Sequence, residues 1–294
     1  AGNGVSDTAT ITIQKGFCDQ GPRGGNLTIR DVTIDNSGEG QDDEWFFLDE
    51  VEIEVDVKND GDEDVEDVFV ELALLDSSGV DNIGDIDFTN PDDERIDLGD
   101  VRDNDEETVT FSFKVPGDID SGSYKLAVKA YGDNVGEENE CADEFNGKIF
   151  QDVSIERQDD EGKFIGFGDI VFSPEEATCG ERVSLTTDVF NVGDGGEQER
   201  VRVRLKSTEF NLDEIFEIRS EMEEGDKETV SFDFMVPTNA ENKDYRLRLS
   251  ADYEYDNGFY EESSETDTLA TLTVLGCVGG PTDDRIADIK ATLD

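Results

Sequence analysis

The segment "ETVTFSFKVP" at residues 107–116 is the most informative part of the sequence, because it recurs almost unchanged as "ETVSFDFMVP" at 228–237. In both copies apolar and polar residues alternate, as Phe111 and Phe113 do in the first. A period of two with β-branched and aromatic residues is typical of a half-buried β-strand. The sequence therefore contains an internal repeat whose unit is built from strands.

Two further blocks extend this repeat. "SYKLAVKA" at 123–130 matches "DYRLRLSA" at 244–251 with the same offset of 121 residues. Upstream, "VEIEVDVKNDG" at 51–61 matches "VSLTTDVFNVG" at 183–193 with an offset of 132. The offset changes because the first copy is longer between these blocks. Its extra residues fall around 76–100, which we expect to form a long acidic loop with at most a short edge strand.

The matched blocks predict an all-β fold. Short alternating segments, about seven per repeat, are separated by Gly, Asp and Asn turns, which indicates an antiparallel β-sandwich. No segment of comparable strength shows the 3.6-residue period of a helix. The predicted core consists of the apolar residues that alternate within the matched strands: Val55, Val57, Phe111, Phe113, Leu126 and Val128 in the first repeat, and Val189, Phe232, Phe234, Leu247 and Leu249 in the second.

The order and spacing of several short motifs resemble the CARDB family, a cell-adhesion-related domain. The motifs are LTIRDV (27–32), VxVxNxG (55–61), TVTFxFxVP (108–116), GxYxLxV (122–128) and DNxxxExNE (133–140). In the second repeat the last motif is degenerate. The resemblance implies immunoglobulin-like sandwiches that occur in tandem on secreted and surface proteins of bacteria and archaea. The expected architecture is two tandem immunoglobulin-like antiparallel β-sandwiches with extra terminal strands from flanking repeats.

The chain ends look like parts of neighbouring repeats. "TATITIQKGFC" at 8–18 corresponds to "TLATLTVLGC" at 268–277, and 283–294 resembles the opening strand of the first repeat. We therefore expect residues 8–14 and 285–293 to be paired strands of flanking repeats. A complete protein with extra edge strands and strand donation to a neighbouring chain are the alternatives. The expected domains are 1–25 (last strand of a preceding repeat plus linker), 26–158 and 159–278 (the two sandwiches), and 279–294 (linker and first strand of a following repeat).

The net charge limits the partners. The chain has 77 acidic and 24 basic residues, a formal charge of −53. Such a field repels nucleic acid and anionic lipid headgroups, so neither is an expected partner. No run approaches the 18 apolar residues of a membrane span, so we expect no membrane insertion. Adaptation to high salt and a cell surface loaded with divalent cations both explain the acidity.

The composition also argues against catalysis. The chain has no histidine, which removes Ser-His-Asp and Cys-His catalysis and the usual zinc and haem ligand sets. Its four cysteines form no Cys-x-x-Cys pair, and no glycine-rich phosphate loop opens a helix. We expect no catalytic residues and no enzyme activity.

Four cysteines in a surface protein suggest two disulfides. Successive strands of a Greek-key sandwich alternate in direction, so a position before the first strand and one after the sixth share a pole. On this argument Cys18, before the first strand of the first repeat, pairs with Cys141, after its sixth. Cys179 precedes the second strand of the second repeat and Cys277 follows its last strand, positions that also share a pole, so these two are expected to pair.

Acidic loops are the candidate cation sites, and Ca²⁺ is the one cofactor considered, because it prefers carboxylate and carbonyl oxygens. The segment 133–140 supplies the candidate ligands, and 59–67 is comparable. A solvated acidic loop is the alternative. The candidate ligands are Asp133, Glu137, Glu138 and Glu140.

Two isolated features complete the candidate sites. Asn26 in "NLT" is an N-glycosylation acceptor if the chain is exported. Trp45, the single tryptophan, adjoins Phe46 and Phe47, and this cluster serves either core packing or ligand stacking, with packing favoured.

Two functions fit these features. In the first, the chain is a non-catalytic structural repeat unit of an extracellular cell-surface assembly, such as a surface layer, stalk or filament. Its partners are then copies of itself or flanking repeats of a longer chain. In the second, the repeats are adhesive or ligand-binding accessory modules of a larger secreted protein.

Overall fold

The regular secondary structure of the described residues is almost all β-strand, which confirms the predicted all-β fold class. A computed structural model describes residues 17–18, 26–89, 94–132, 140–142, 150–159, 164–264 and 267–276. Within these residues the helical structure is one 3₁₀ turn, Ile83–Asp85. The predicted terminal strands at 8–14 and 285–293 lie outside the described residues.

The chain divides into two compact units, with the division between Glu156 and Arg157. The predicted borders, 26–158 and 159–278, stay predictions. The strands of the first unit are β1 (Leu27–Asn36), β2 (Glu44–Phe46), β3 (Glu50–Asn59), β4 (Val65–Leu75), β5 (Asp87–Phe88), β6 (Arg95–Val101), β7 (Glu106–Lys114), β8 (Gly122–Tyr131), β9 (Glu140–Cys141) and β10 (Gln151–Glu156).

The first unit is a two-sheet sandwich. One sheet has the order β1-β3-β7-β5, and the other has the order β2-β10-β8-β4-β6, with β9 paired to β8. The pairs are antiparallel except β2 with β10, which run parallel. Trp45 of one sheet meets Phe113 of the other edge to face, with 5.5 Å between ring centroids. This order has the two-sheet arrangement of an immunoglobulin-like sandwich.

The second unit repeats this plan with fewer strands in one sheet. Its sheets have the orders β11-β13-β16 and β12-β19-β17-β14-β15, with β18 paired to β17 and β12 parallel to β19. Its strands are β11 (Ile165–Ser173), β12 (Glu176–Ala177), β13 (Arg182–Asn191), β14 (Val201–Ser207), β15 (Leu212–Ile218), β16 (Lys227–Met235), β17 (Lys243–Asp256), β18 (Phe259–Ser263) and β19 (Thr268–Val274).

The two units share strand register as well as strand order. Val51 of β3 lies opposite Phe113 of β7, and the repeat-equivalent Val183 of β13 lies opposite Phe234 of β16. Every residue predicted for the two cores is buried, with at most 6% of its surface exposed. The alternation in the quoted segments is therefore the alternation between core and solvent.

The segment 76–100 contains more regular structure than expected. It holds the 3₁₀ turn, the two-residue strand β5 and most of β6, a seven-residue edge strand. The prediction allowed at most a short edge strand, whereas the segment contributes two strands, both at sheet edges, of two and seven residues. The extent of β6 was underestimated because Ile96 and Leu98 alternate with aspartates and a glycine and are only partly buried, as edge-strand residues are.

Candidate functional site

A disulfide joins Cys18 to Cys141, the pair expected from the strand order. The S–S distance is 1.96 Å, the Cα atoms are 6.0 Å apart, and the loop spans 123 residues. Cys141 is fully buried in β9, where it lies opposite Lys129 of β8. The bridge thus ties the chain just before the first sandwich strand to β9, which pairs with β8 of the larger sheet.

Side chains beside the bridge also hold this segment. The Nζ atom of Lys129 lies 4.4 Å from the centroid of the Phe17 ring and 3.2 Å from a carboxylate oxygen of Glu71. The Tyr131 hydroxyl donates to the same carboxylate at 3.1 Å. Burial, and then the charge of Glu71, raise the pKa of Tyr131. The phenol therefore stays a neutral donor at physiological pH.

Cys179 is disulfide-bonded as well. It is partly buried and packs against the core of the second unit. Its predicted partner, Cys277, lies outside the described residues.

Of the four candidate cation ligands, one lies among the described residues. Asp133, Glu137 and Glu138 lie outside the described residues. Glu140 lies in β9 opposite Ala130 and is 4% exposed, so it is not part of a solvated loop. Among the described residues, no group of three or more His, Cys, Asp or Glu side chains is arranged to hold a metal ion.

The second acidic loop, 59–67, is organised by the protein's own groups. The buried Asn59 side chain donates from Nδ2 to the carbonyls of Glu63 at 2.8 Å and Val101 at 3.1 Å. Asp60 pairs with Arg30 at 2.6 Å and accepts from Thr28 at 2.9 Å. These hydrogen bonds, of which the one from Thr28 has the largest effect, lower the pKa of Asp60. This loop is thus shaped by an asparagine and an ion pair.

The remaining candidate residues occupy different environments. Asn26 is exposed, as a glycosylation acceptor must be, although its amide packs closely on Gly61. Trp45 has no exposed surface, and its indole N–H donates to the carbonyl of Asp42 at 3.0 Å. Trp45 is therefore a core residue and offers no stacking surface to a ligand.

A pocket with a volume of about 340 Å³ lies in the first unit. The Tyr124 hydroxyl donates to the carbonyl of Asp120 at 2.6 Å beside it, and burial raises the pKa of this phenol. The pocket is lined by Asn82, Asp85, Asp118, Ile119, Asp120 and Tyr124.

Sequence reasoning missed a concentration of basic residues on the second unit. In β14, Arg202, Arg204 and Lys206 alternate with buried Val203 and Leu205, so they share the outer face of the sheet. The signal was present in the alternation of "RVRVRLK" at 200–206. It is inconspicuous in a sequence with 77 acidic residues against 24 basic ones.

One ion pair on this face has clear geometry. Arg204 donates from Nε and Nη2 to the two carboxylate oxygens of Asp213, both at 2.6 Å. This bidentate pairing raises the pKa of Arg204 and lowers the pKa of Asp213.

No family model and no curated protein sequence matches the chain. Several solved structures are similar to parts of it. The C-terminal domain of wzt has 14% identity and a TM-score of 0.34, covering 46% of this chain and 75% of that one. The CARDB domain of a Pyrococcus furiosus protein, described in complex with di-metal ions, has 18% identity and a TM-score of 0.28. The match covers 51% of this chain and 99% of that domain. Red sea bream transglutaminase has 12% identity and a TM-score of 0.29. The match covers 85% of this chain and 31% of the transglutaminase chain.

At such identities and TM-scores, nothing about activity or ligands follows for this chain. In the part of the chain that the structure describes, no helix is long and apolar enough to cross a membrane.

Proposed function

We propose that this chain is a non-catalytic structural repeat unit of an extracellular cell-surface assembly, built from CARDB-type modules. Two units with the same strand order and register support the repeat. A disulfide supports an oxidising location outside the cytoplasm. Within such an assembly each unit carries tension from one neighbour to the next.

The observation that carries the proposal is the position of the Cys18–Cys141 bridge. Cys18 lies before β1, and Cys141 lies after β8. Tension that enters before Cys18 and leaves after Glu156 therefore passes through the bridge and bypasses the strands between the two cysteines. Those strands cannot be pulled out while the disulfide is intact.

The expected limit on extension is large. Between Cys18 and Glu156 the unbridged chain has a contour length of about 480 Å at 3.3–3.6 Å per residue. With the bridge, the extensible part runs from Cys141 to Glu156, about 50 Å. The bridge also disfavours the unfolded state by about 5 kcal/mol in the chain-entropy model for a loop of this size. Both effects suit a load-bearing module.

Force spectroscopy tests this function. The 294-residue chain is stretched between handles at its ends, with the intact protein compared with the double variant Cys18→Ser, Cys141→Ser. We expect the variant to release about 430 Å more contour length, the length of the 123-residue loop. The matched control, Cys179→Ser with Cys277→Ser, is expected to leave unchanged the contour length that the first unit releases on unfolding. A wild-type first unit that extends as far as the double variant would refute the load-bearing role.

The location has its own test. Protease treatment of intact source cells, followed by mass determination of the native polypeptide, is expected to release fragments from the cell surface. It also shows whether the native chain contains further repeats.

The alternative function, a ligand-binding accessory module, is favoured by the pocket beside Tyr124. Asp85, Asp118 and Asp120 line it, so a cationic small ligand fits its charge. Titration calorimetry with a polyamine, comparing wild type with Asp118→Asn, tests this alternative. Binding that the substitution abolishes would favour it.

A further inference from the structure

The strand β15 lies at the edge of the larger sheet in the second unit. Among the described residues its one neighbour in the sheet is β14, and the two strands pair over seven consecutive residues without a register shift. The backbone groups of β15 that point away from β14 can therefore pair with another strand. We call this side of Leu212–Ile218 the free edge.

The first unit protects the corresponding edge. Its strand β6 has the same terminal position in the larger sheet, but its pairing with β4 contains two register shifts, between Val65 and Val68 and between Val68 and Phe69. Gly99, with a φ of +69°, interrupts β6 as well. Bulges and interruptions of this kind keep an edge strand from pairing with another chain. The free edge of β15 has neither.

Two neighbouring apolar side chains of β15 are exposed. Ile215 lies opposite Arg204 on the outer face and is 56% exposed. Phe216 lies on the inner face and is 39% exposed, with its ring centroid 6.4 Å from that of Phe232. A regular edge strand with exposed apolar residues is a surface on which another strand adds.

The carboxylates of β15 are largely neutralised within the unit. Asp213 accepts two hydrogen bonds from Arg204, and Glu217 accepts one from Nε of Arg219 at 2.8 Å. The third carboxylate, Glu214, has no ion pair within the described part of the chain. In a chain of net charge −53, a second copy therefore meets less repulsion at this edge than at a strand with unpaired carboxylates.

Charge also selects the register in which two copies of β15 fit together. When a two-fold axis relates two antiparallel strands, one residue lies opposite its own copy and the residues on either side pair symmetrically. Centring on any acidic residue places that carboxylate opposite its own copy, and centring on Ile215 places Asp213 opposite Glu217. Like charges directly opposite each other destabilise a sheet. Centring on Leu212 or Ile218 pairs one residue of the strand with its copy and nothing more.

Centring on Phe216 avoids each of these conflicts. The Phe216 ring then meets its own copy, and aromatic pairs of this kind are favourable. Asp213 lies opposite Arg219 of the second copy, and the Arg219 side chain is 76% exposed. The other two carboxylates lie opposite apolar residues, Glu217 opposite Ile215 and Glu214 opposite Ile218. This register thus places an arginine opposite a carboxylate on each side of the axis.

We propose that the free edge of β15 pairs antiparallel with the free edge of a second copy of this chain, in the register centred on Phe216. The larger sheets of the two second units then form one continuous sheet, and Ile215 and Phe216 are covered at the junction. Because both copies use the same surface, the contact is isologous and closes at a dimer. The inference rests on the proposed structural function and adds to it a contact that joins two chains through their second units.

Sedimentation velocity of the 294-residue chain measures this association. A single strand edge is smaller than the standard interface of a stable complex, so we expect dimers at high-micromolar protein concentrations. Raising NaCl from about 0.15 M to about 1 M is expected to increase the dimer fraction. The Debye length then falls from about 8 Å to about 3 Å, which screens the repulsion between two acidic chains.

Ile215→Glu is the disrupting variant, because it places a carboxylate opposite Glu217 of the second copy. Within its own sheet the substituted position faces Arg204, so the unit is expected to keep its fold. Leu269→Glu is the matched control, since Leu269 is 52% exposed and faces Arg248 in the same sheet. We expect the Ile215 variant to stay monomeric and the control to dimerise like the wild type. Circular dichroism checks that both keep the strand content of the wild type.

Cross-linking tests the register. Phe216→Cys and Glu214→Cys are each treated with a short bis-maleimide, which joins two thiols that lie close together. In the proposed register position 216 faces its own copy, whereas position 214 is displaced from its own copy by four residues, about 13 Å. We expect covalent dimers of the Phe216→Cys chain and none of the Glu214→Cys chain.

A wild type that stays monomeric at every protein and salt concentration overturns the proposal, as does an Ile215→Glu variant that dimerises like the control. If Ile215→Glu abolishes the dimer but Phe216→Cys is not cross-linked, another segment, such as residues 8–14 of the second copy, occupies the edge and the proposed pairing is wrong. The force measurement on the Cys18–Cys141 bridge uses single chains, so the load-bearing function can stand when this contact fails and can fail when this contact is seen.

Discussion

At the scale of single residues, a buried asparagine shapes the same turn in both units. Asn59 and the repeat-equivalent Asn191 have no exposed surface, and each donates from Nδ2 to two backbone carbonyls. Asn59 also accepts the N–H of Gly61 at 2.9 Å, whereas Oδ1 of Asn191 has no partner within the described residues. Buried backbone groups need such partners, which explains why an asparagine occupies this position in both repeats.

Replacing Asn59 by alanine is expected to lower the free energy of unfolding by about 2–4 kcal/mol, because three hydrogen bonds are lost and their backbone partners stay buried. Asn191→Ala is expected to lower the free energy of unfolding by less, since it removes two hydrogen bonds. Urea denaturation of the 294-residue chain, with exposed Thr33→Ala as the control, measures both. Equal stability of Asn59→Ala and the control would contradict this account.

A second residue-scale effect concerns two glutamates. A hydrogen bond to Glu197, together with its negative charge, raises the pKa of Glu221 above its usual value of 4.5. A raised folded-state pKa means that ionisation of Glu221 opposes folding at neutral pH. This cost disappears below the unfolded-state pKa, where both states are protonated.

Glu221→Gln is therefore expected to raise the melting temperature at pH 7 and to leave it unchanged near pH 3. Exposed Glu261→Gln in the same unit serves as the control. Thermal unfolding across this pH range checks the effect. An increase in melting temperature of the same size at both pH values would show that ionisation of Glu221 does not cause it.

At the scale of strands, the alternation of each segment decides which residues carry the fold. Leu126 of β8 and Leu247 of β17 are repeat-equivalent and have no exposed surface. Both lie in the interior of the larger sheet of their unit, between two hydrogen-bonded neighbours. They should therefore contribute similarly to the stability of their own units.

Leu126→Ala and Leu247→Ala are each expected to lower the free energy of unfolding by about 2–5 kcal/mol through lost burial and the cavity left behind. Val171→Ala, at a strand position that is 57% exposed, is expected to change it by less than about 0.5 kcal/mol. Chemical denaturation distinguishes these results. A large effect at Val171 would mean that its face is covered in solution.

At the scale of the whole molecule, charge repulsion opposes the folded state. The formal charge is −53, and many carboxylates project from the outer faces of the sheets. Salt shortens the Debye length from about 8 Å at 0.15 M to about 3 Å at 1 M, which weakens this repulsion. A specifically bound cation stabilises in addition, by mass action.

We expect the melting temperature to rise with NaCl concentration. At constant high salt, a calcium chelator is expected to lower it if the predicted site at Asp133, Glu137, Glu138 and Glu140 binds Ca²⁺. Scanning calorimetry with and without chelator separates screening from binding. An unchanged melting temperature on chelation would reject that site.

Much of the fold could be predicted because alternation and repetition are local properties of the sequence. Alternation at Phe111 and Phe113 requires only that one side of a strand be buried, and the internal repeat transfers that inference to Phe232 and Phe234. The pairing of Cys18 with Cys141 follows from strand direction. The length of the edge strand β6 was underestimated because a partly exposed strand shows a weaker pattern.

Other features depend on which distant segments become neighbours. The carboxylate of Asp49 is 5% exposed and accepts four hydrogen bonds, from Asn36 Nδ2 and from the backbone N–H groups of Glu39, Gly40 and Phe46. In the sequence it is one aspartate among many acidic residues. Its role arises because the segment before β3 folds back on it.

Periodicity and strand direction, which are local properties, were enough to predict that the chain is all-β, which residues form the cores and that Cys18 can reach Cys141. The alternation in β14 also shows, although sequence reasoning missed it, that Arg202 and Arg204 share one face of the strand. That Arg246 and Arg248 lie on the same face depends on sheet order, which places β17 beside β14. Sheet order likewise brings Asp35 opposite Glu52. Strand pairing between distant segments sets which side chains are neighbours, and a local pattern does not contain that information.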